Sequence, residues 1–181
     1  MKRLFHIFYN IRDYLTKENI KTIYYALVYS RIKYGISVYG QACTSKMKRI
    51  QTLQNQLLKV LSGKDYRFST DKLHDEFYIL KVNDITNQEV LTFVFNFFSN
   101  GLPGIFNNYY ETFSESHNYN TRNAGSRIRK IRRNNDFGAK SIKVRGSDLR
   151  NNLNNNIKVA LNTKQFRSNY KKEILPYSSN V

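Results

Sequence analysis

At 181 residues the chain is long enough for one domain with its own core, or for a helical domain with an appendage. A 40% hydrophobic content, with 12 Phe and 14 Tyr, excludes a disordered chain. The net charge of +17 points to a polyanion as partner, nucleic acid or an anionic membrane surface, because solubility alone needs no such excess of one sign.

The start of the chain, Met1-Lys2-Arg3 followed by Leu4 to Tyr9, loosely imitates a secretion signal. Its apolar run is too short, contains His6 and meets Arg12 and Asp13 without a small-residue cleavage site. No apolar run is long enough to span a bilayer. One cysteine, Cys43, permits no intrachain disulfide. Together these features lead us to expect an intracellular protein, nuclear or cytoplasmic, that is not bound to a membrane.

Residues 17–34 read as a helix, with Ile20, Ile23, Tyr24, Leu27, Val28 and Arg31 in helical rhythm and Thr16 as cap. Gly35 and Gly40 bracket Ile36 to Tyr39, which should be extended or a tight turn. Ser45 to Ser62 is a second helix, with a face of Met47, Ile50, Leu53, Gln54, Leu57, Leu58 and Leu61, a cap at Ser45 and a stop at Gly63. A short helix fits Asp71 to Phe77, with Thr70 as cap. Asp84 to Ser99 is the most apolar helix, and its wide arc of Val90, Leu91, Phe93, Val94, Phe95, Phe97 and Phe98 demands burial on more than one side. Asn100-Gly101-Leu102-Pro103 ends it.

Beyond Gly104 the composition changes, and a domain boundary near 104 divides a helical part, 1–104, from a basic extension, 105–181. Residues 1–119 carry 15 Lys/Arg against 10 Asp/Glu, whereas residues 120–181 carry 15 against 3. Arg127 to Arg133 holds five basic residues in seven. Ser141 to Arg145 alternates like a short strand, Asn151 to Asn156 disfavours regular structure, and Lys164 to Leu175 fits a last helix capped by Thr163. The fold class is therefore mainly α: a helical bundle, then a basic, irregular region with one or two short strands and a final helix.

Chemistry of its own is hard to find. One Cys with His6, His74 and His117 cannot build a zinc finger, and no metal or other cofactor is expected. Ser62-Gly63-Lys64 lacks the earlier glycine of a phosphate loop and reads as a helix stop. Asp71 and Asp75 share a helix face, but Asp71 is explained by the helix dipole and no third acid is near. No nucleophile–base arrangement can be assembled, so neither catalysis nor a small-molecule substrate is expected.

Binding chemistry is better represented. Phosphates need cations spaced along a backbone, and Arg adds two-pronged geometry. Arg122, Arg127, Arg129, Lys130, Arg132, Arg133, Lys140, Lys143 and Arg145 are the candidate nucleic-acid contacts, with Ile128 and Ile131 as anchors. Tyr119, and beside it Tyr109 and Tyr110, could stack on bases.

The order of motifs resembles the region downstream of the polymerase core in reverse transcriptases of jockey-like non-LTR retrotransposons. Ile23-Tyr24-Tyr25-Ala26-Leu27 leads to Tyr34-Gly35-Ile36-Ser37-Val38-Tyr39-Gly40. Ile50-Gln51-Thr52-Leu53-Gln54-Asn55, then Ile79 to Ile85, Leu102-Pro103, His117 to Arg122, Gly146 to Leu153 and Phe166 follow in order. The resemblance implies that the helices form the thumb, which grips template–primer duplex, and that the extension helps to bind RNA. It implies an upstream polymerase domain as a possible partner. The sequence contains no Asp-Asp pair, so the palm signature is missing and the expected role is non-catalytic. The family commonly has Trp at positions 39 and 150 and Pro at 154, where this chain has Tyr39, Arg150 and Asn154. A guanidinium in place of an indole at 150 should loosen the packing of residues 146–156.

The leading expectation is thus a nucleic-acid-binding fragment of a retrotransposon reverse transcriptase, with RNA or an RNA/DNA duplex as partner. The alternative is a helical protein-interaction module that docks on a separate polymerase core or a host protein, for which the wide apolar arc of 84–99 is the motive.

Overall fold

A computed structural model of the protein describes residues 3–41, 43–113 and 127–175. The described chain is mainly helical. Its β pairing among those residues is a single antiparallel bridge between Thr112 and Ile128. The chain divides into two compact units, residues 1–86 with 172–181 and residues 87–171. This division falls inside a helix whose apolar second half forms its core with later segments.

In the first unit, α1 (Leu4–Ile11) buries Leu4 and Phe8. The segment read from sequence as a failed secretion signal is thus an amphipathic helix, and it packs on α5 (Thr44–Leu61). α2 (Lys17–Ile23) is capped by the Thr16 side chain, which accepts from the Asn19 N–H, as expected. It continues through a π-helical stretch, Tyr24–Tyr29, into α3 (Ser30–Lys33). The buried residues are Ile20, Tyr24, Val28, Ile32 and Ile36, spaced strictly by four. An α-helix drifts against a period of four, and wider turns counter that drift and keep the stripe on one side. Leu27, expected on the inner face, is instead 37% exposed.

Gly35 turns the chain with φ of +66°. Ile36–Tyr39 is then a helical turn, α4, not an extended piece. Leu57, Leu58 and Leu61 of α5, Leu73 and Phe77 of α6 (Thr70–Phe77), and Ile79, Leu80, Val82 and Ile85 complete the core. α6 starts one residue earlier than expected, so Thr70 lies inside the helix and Ser69 takes the cap position.

A buried polar network crosses this core. Gln54 donates through Nε2 to Tyr24 Oη at 2.7 Å and to the Leu80 carbonyl at 2.9 Å. Gln51 accepts the Val82 N–H at 2.8 Å through Oε1. Val82 opens α7 (Val82–Phe98), so a distant glutamine satisfies an N–H that has no partner in its own helix. The Ile50 to Asn55 motif is in this way the polar wiring of the unit.

The second unit is built around the rest of α7. Leu91 and Phe95 pack with Ile157, Phe166 and Tyr170, and the Phe95 and Phe166 rings stack at 4.8 Å. Val94 packs with Tyr110 and Ile128. The wide apolar arc of α7 is therefore largely covered inside the chain, with Phe93 and Phe97 partly buried and Phe98 exposed.

Three short elements follow: α8 (Asp136–Ala139), α9 (Ile142–Asn152) and α10 (Asn155–Lys158). α11 (Thr163–Ile174) then closes the fold. Residues 141–145, read as a strand from their alternation, begin α9. The cap decides the outcome: the Ser141 side chain accepts from the Val144 N–H. In the asparagine run, Asn151 lies in α9 and Asn154 caps α10 by accepting from the Asn156 N–H. At α11 the cap is Asn162, whose Oδ1 accepts from the Gln165 N–H at 2.8 Å, while Thr163 turns to Asn96 at 2.9 Å.

Gly146 lets α9 approach closely. A Cβ there would meet Val94 Cγ2 at 2.8 Å and come still nearer Tyr110 Oη. Tyr110 in turn donates to the Ile142 carbonyl at 3.0 Å.

Candidate nucleic-acid interface

The basic segment 127–133 is pinned from both sides at its start, where Ile128 forms a β-bridge with Thr112. Main-chain bonds run from Phe113 N–H to the Arg127 carbonyl at 3.1 Å and from Arg129 N–H to the Glu111 carbonyl at 2.9 Å. Opposite them, the Asn151 side chain accepts the Ile128 N–H and donates to the Ile128 carbonyl, each at 2.9 Å. Ile128 is buried at 1% exposure, the anchoring role expected from sequence, while Arg127, Arg129, Lys130, Arg132 and Arg133 are exposed. Two residues of extended chain advance about 7 Å, a step suited to successive phosphates of one strand.

The cations fall into three groups. Arg129 faces Glu111 at 3.4 Å and Lys130 faces Asp148 at 2.6 Å, both across exposed pairs of small energetic weight. Arg127, Arg132 and Arg133 have no acid within ion-pair distance among the described residues. Arg145 serves the fold: half-buried, it donates to Asn87 Oδ1 at 2.7 Å, and burial pulls its pKa down. Lys140 is half-exposed at the end of α8. Lys143 projects over the Tyr109 ring at 5.3 Å. Arg122 and Tyr119 lie outside the described residues.

Arg129, Lys130, Arg132 and Lys143 are brought together with Tyr110, Glu111 and Ile131 around a cleft of 470 Å³. Positive potential extends to Lys158, whose pKa is lowered by burial and then by the nearby Arg150 and Arg127. Arg150 itself lies over the Phe98 ring, its Cζ 4.0 Å from the centroid, and burial lowers its pKa. The loosening expected of residues 146–156 has not prevented α9 from forming, and the guanidinium makes a cation–π contact with Phe98 in place of an indole's packing.

Sequence reasoning missed Asn151, Glu111 and Asp148. The asparagine stood in a run that reads as loop, and pairing across 18 or more residues leaves no local pattern. Elsewhere, Asp71 is committed to Lys81 at 2.8 Å. Gly63, with φ of +64°, ends α5 as a helix stop should. Among the described residues no cluster of His, Cys, Asp or Glu could hold a metal ion, and no helix is long and apolar enough to cross a membrane.

Part of the chain is related in sequence to a transposon-encoded RNA-directed DNA polymerase. The relative is the probable RNA-directed DNA polymerase from transposon X-element of Drosophila melanogaster, 32% identical over 77 residues, or 42% of this chain. The chain's match spans 8% of that relative's length. No protein-family model matches the chain, and no solved structure does.

Proposed function

We propose that this chain is a non-catalytic, nucleic-acid-binding part of a jockey-like non-LTR retrotransposon reverse transcriptase. Its helices act as the thumb and its basic segment holds template–primer or element RNA during reverse transcription primed at the target. The observation that carries this reading is the array of exposed cations Arg127, Arg132 and Arg133, which meet no acid among the described residues, on a segment whose main chain is pinned at Ile128 by Asn151. Holding charges in place on a fixed backbone cuts the ordering cost of binding a polyanion. The similarity to a transposon polymerase supports the choice of partner, RNA or an RNA/DNA duplex, and an intracellular site of action. The absence of an Asp-Asp pair from the sequence supports a role without catalysis, next to a polymerase domain that carries it.

The alternative, a module that docks on a separate polymerase core or a host protein, would have to use what α7 leaves accessible, chiefly Phe98, because Leu91, Val94 and Phe95 are buried against later segments.

The test is fluorescence anisotropy of the full chain with labelled RNA and RNA/DNA hybrid over a salt series. Log affinity should fall linearly with log salt, by about 0.7 for each single-strand phosphate neutralised. No binding at low salt would overturn the proposal, and primer extension by this chain would overturn its non-catalytic part.

A further inference from the structure

The cleft beside the basic segment differs from the open array of arginines. Its walls bring Arg129, Lys130, Arg132 and Lys143 together against a single lining acid, Glu111. Asp148 neutralises one more charge, at Lys130. Two positive charges, on Arg132 and Lys143, face no acid within ion-pair distance among the described residues. Lys143 is half-buried and the other three cations are exposed; like charges gathered around a concave surface focus positive potential there, and an anion is drawn to it more strongly than to an open face. Ile131, half-buried, adds an apolar wall, with the edge of the buried Tyr110 behind it. At 470 Å³ the cleft lies within the range of small-ligand sites and is too confined for duplex, whose backbone could touch only its rim.

We propose that this cleft binds the phosphomonoester of a nucleotide, a group with close to two negative charges near neutral pH, in preference to the singly charged phosphodiester inside a strand. Arg132 and Lys143 hold the phosphate oxygens, Arg129 and Lys130 lie close enough to exchange their acid partners for it, and Ile131 packs the sugar or base. The proposal rests on the nucleic-acid reading only for its source of ligand, either the phosphorylated end of a strand or a free nucleotide.

The experiment uses the full chain and single-stranded oligonucleotides of one sequence ending in a 5′-phosphate, a 3′-phosphate or hydroxyls only. AMP and inorganic phosphate serve as competitors. A phosphorylated end should tighten binding about tenfold, the scale of one good charge-assisted contact. The preference should shrink below about pH 6, where the monoester takes up its second proton. Lys143→Gln and Arg132→Gln should weaken binding and abolish the preference. Arg133→Gln, outside the cleft, should weaken all oligonucleotides equally and retain it.

Binding of AMP without any oligonucleotide would support the cleft, assign it to free nucleotides and overturn the proposed function. Oligonucleotide binding that ignores end phosphates, with no competition by AMP beyond that by inorganic phosphate, would overturn the cleft and leave the proposed function standing. A preference that survives in Lys143→Gln and Arg132→Gln would also overturn it.

Discussion

The amide of Asn151 grips the main chain of Ile128, taking its N–H and giving to its carbonyl, both at 2.9 Å. One side chain thereby imitates a neighbouring β-strand at the centre of the basic segment. It satisfies both polar groups of a buried residue, which would otherwise cost free energy. The cations flanking Ile128 are held in place as a consequence.

Asn151→Leu should lower the stability of residues 87–171 by about 1–3 kcal/mol, the cost of leaving two main-chain groups unmet. Urea unfolding would report the loss, and hydrogen exchange at Ile128 should accelerate. Affinity for RNA should fall although no cation has been removed. Unchanged exchange at Ile128 would mean that its N–H does not depend on Asn151 for protection.

Arg145 and Arg127 should separate cleanly. Arg145→Ala breaks the contact with Asn87 and should cost about 1–2 kcal/mol of stability, with the salt slope of RNA binding unchanged under folding conditions. Arg127→Ala, at an exposed position, should change stability by less than about 0.5 kcal/mol and reduce the slope by about 0.7. The reverse assignment would move the interface onto α9.

His74 should make the protein sensitive to mild acid. It is 1% exposed, and burial pushes its pKa below the ordinary value, outweighing the pull of the Ile79 carbonyl at 2.8 Å. Lys81 pushes it further down, while Asp71 and Asp75 oppose this. The unfolded chain therefore takes up a proton near pH 6.5 that the folded chain refuses. Stability should be constant above that pH and decline as pH falls through it toward the lower folded value. Urea midpoints between pH 8 and 5 would show the decline, and His74→Gln should flatten it whatever its stability at pH 8.

Arg150→Trp should stabilise the second unit by about 1 kcal/mol. It keeps a flat group on Phe98 while removing a buried cation whose Nε has no hydrogen-bond partner among the described residues. The pKa of Lys158 should rise toward its ordinary value, because one of the charges that depress it is gone. A thermal shift with amine-resolved NMR would read both effects, and a lower melting temperature would show that the guanidinium is the better fit.

The amino-acid sequence by itself determined the helices with strong periodicity and a cap or stop: Thr16 at α2, Gly63 after α5, and the positions of α6, α7 and α11 within one or two residues. These are local signals, carried by side chains within a turn or two of each other. It also placed the excess charge in the last third of the chain and chose Ile128 as an anchor. Only the tertiary structure decided the rest. Alternation at Ile142 and Val144 suggested a strand, yet Ser141 caps a helix that Gly146 lets settle against Val94 and Tyr110. The burial period of four from Ile20 to Ile36 required a widened turn that helical rhythm does not anticipate. Among the cations, Arg145 went to Asn87 and Arg127 stayed in water, though both are arginines in the same basic stretch. Composition cannot separate them, because what distinguishes a binding cation from a structural one is the partner it meets across the fold.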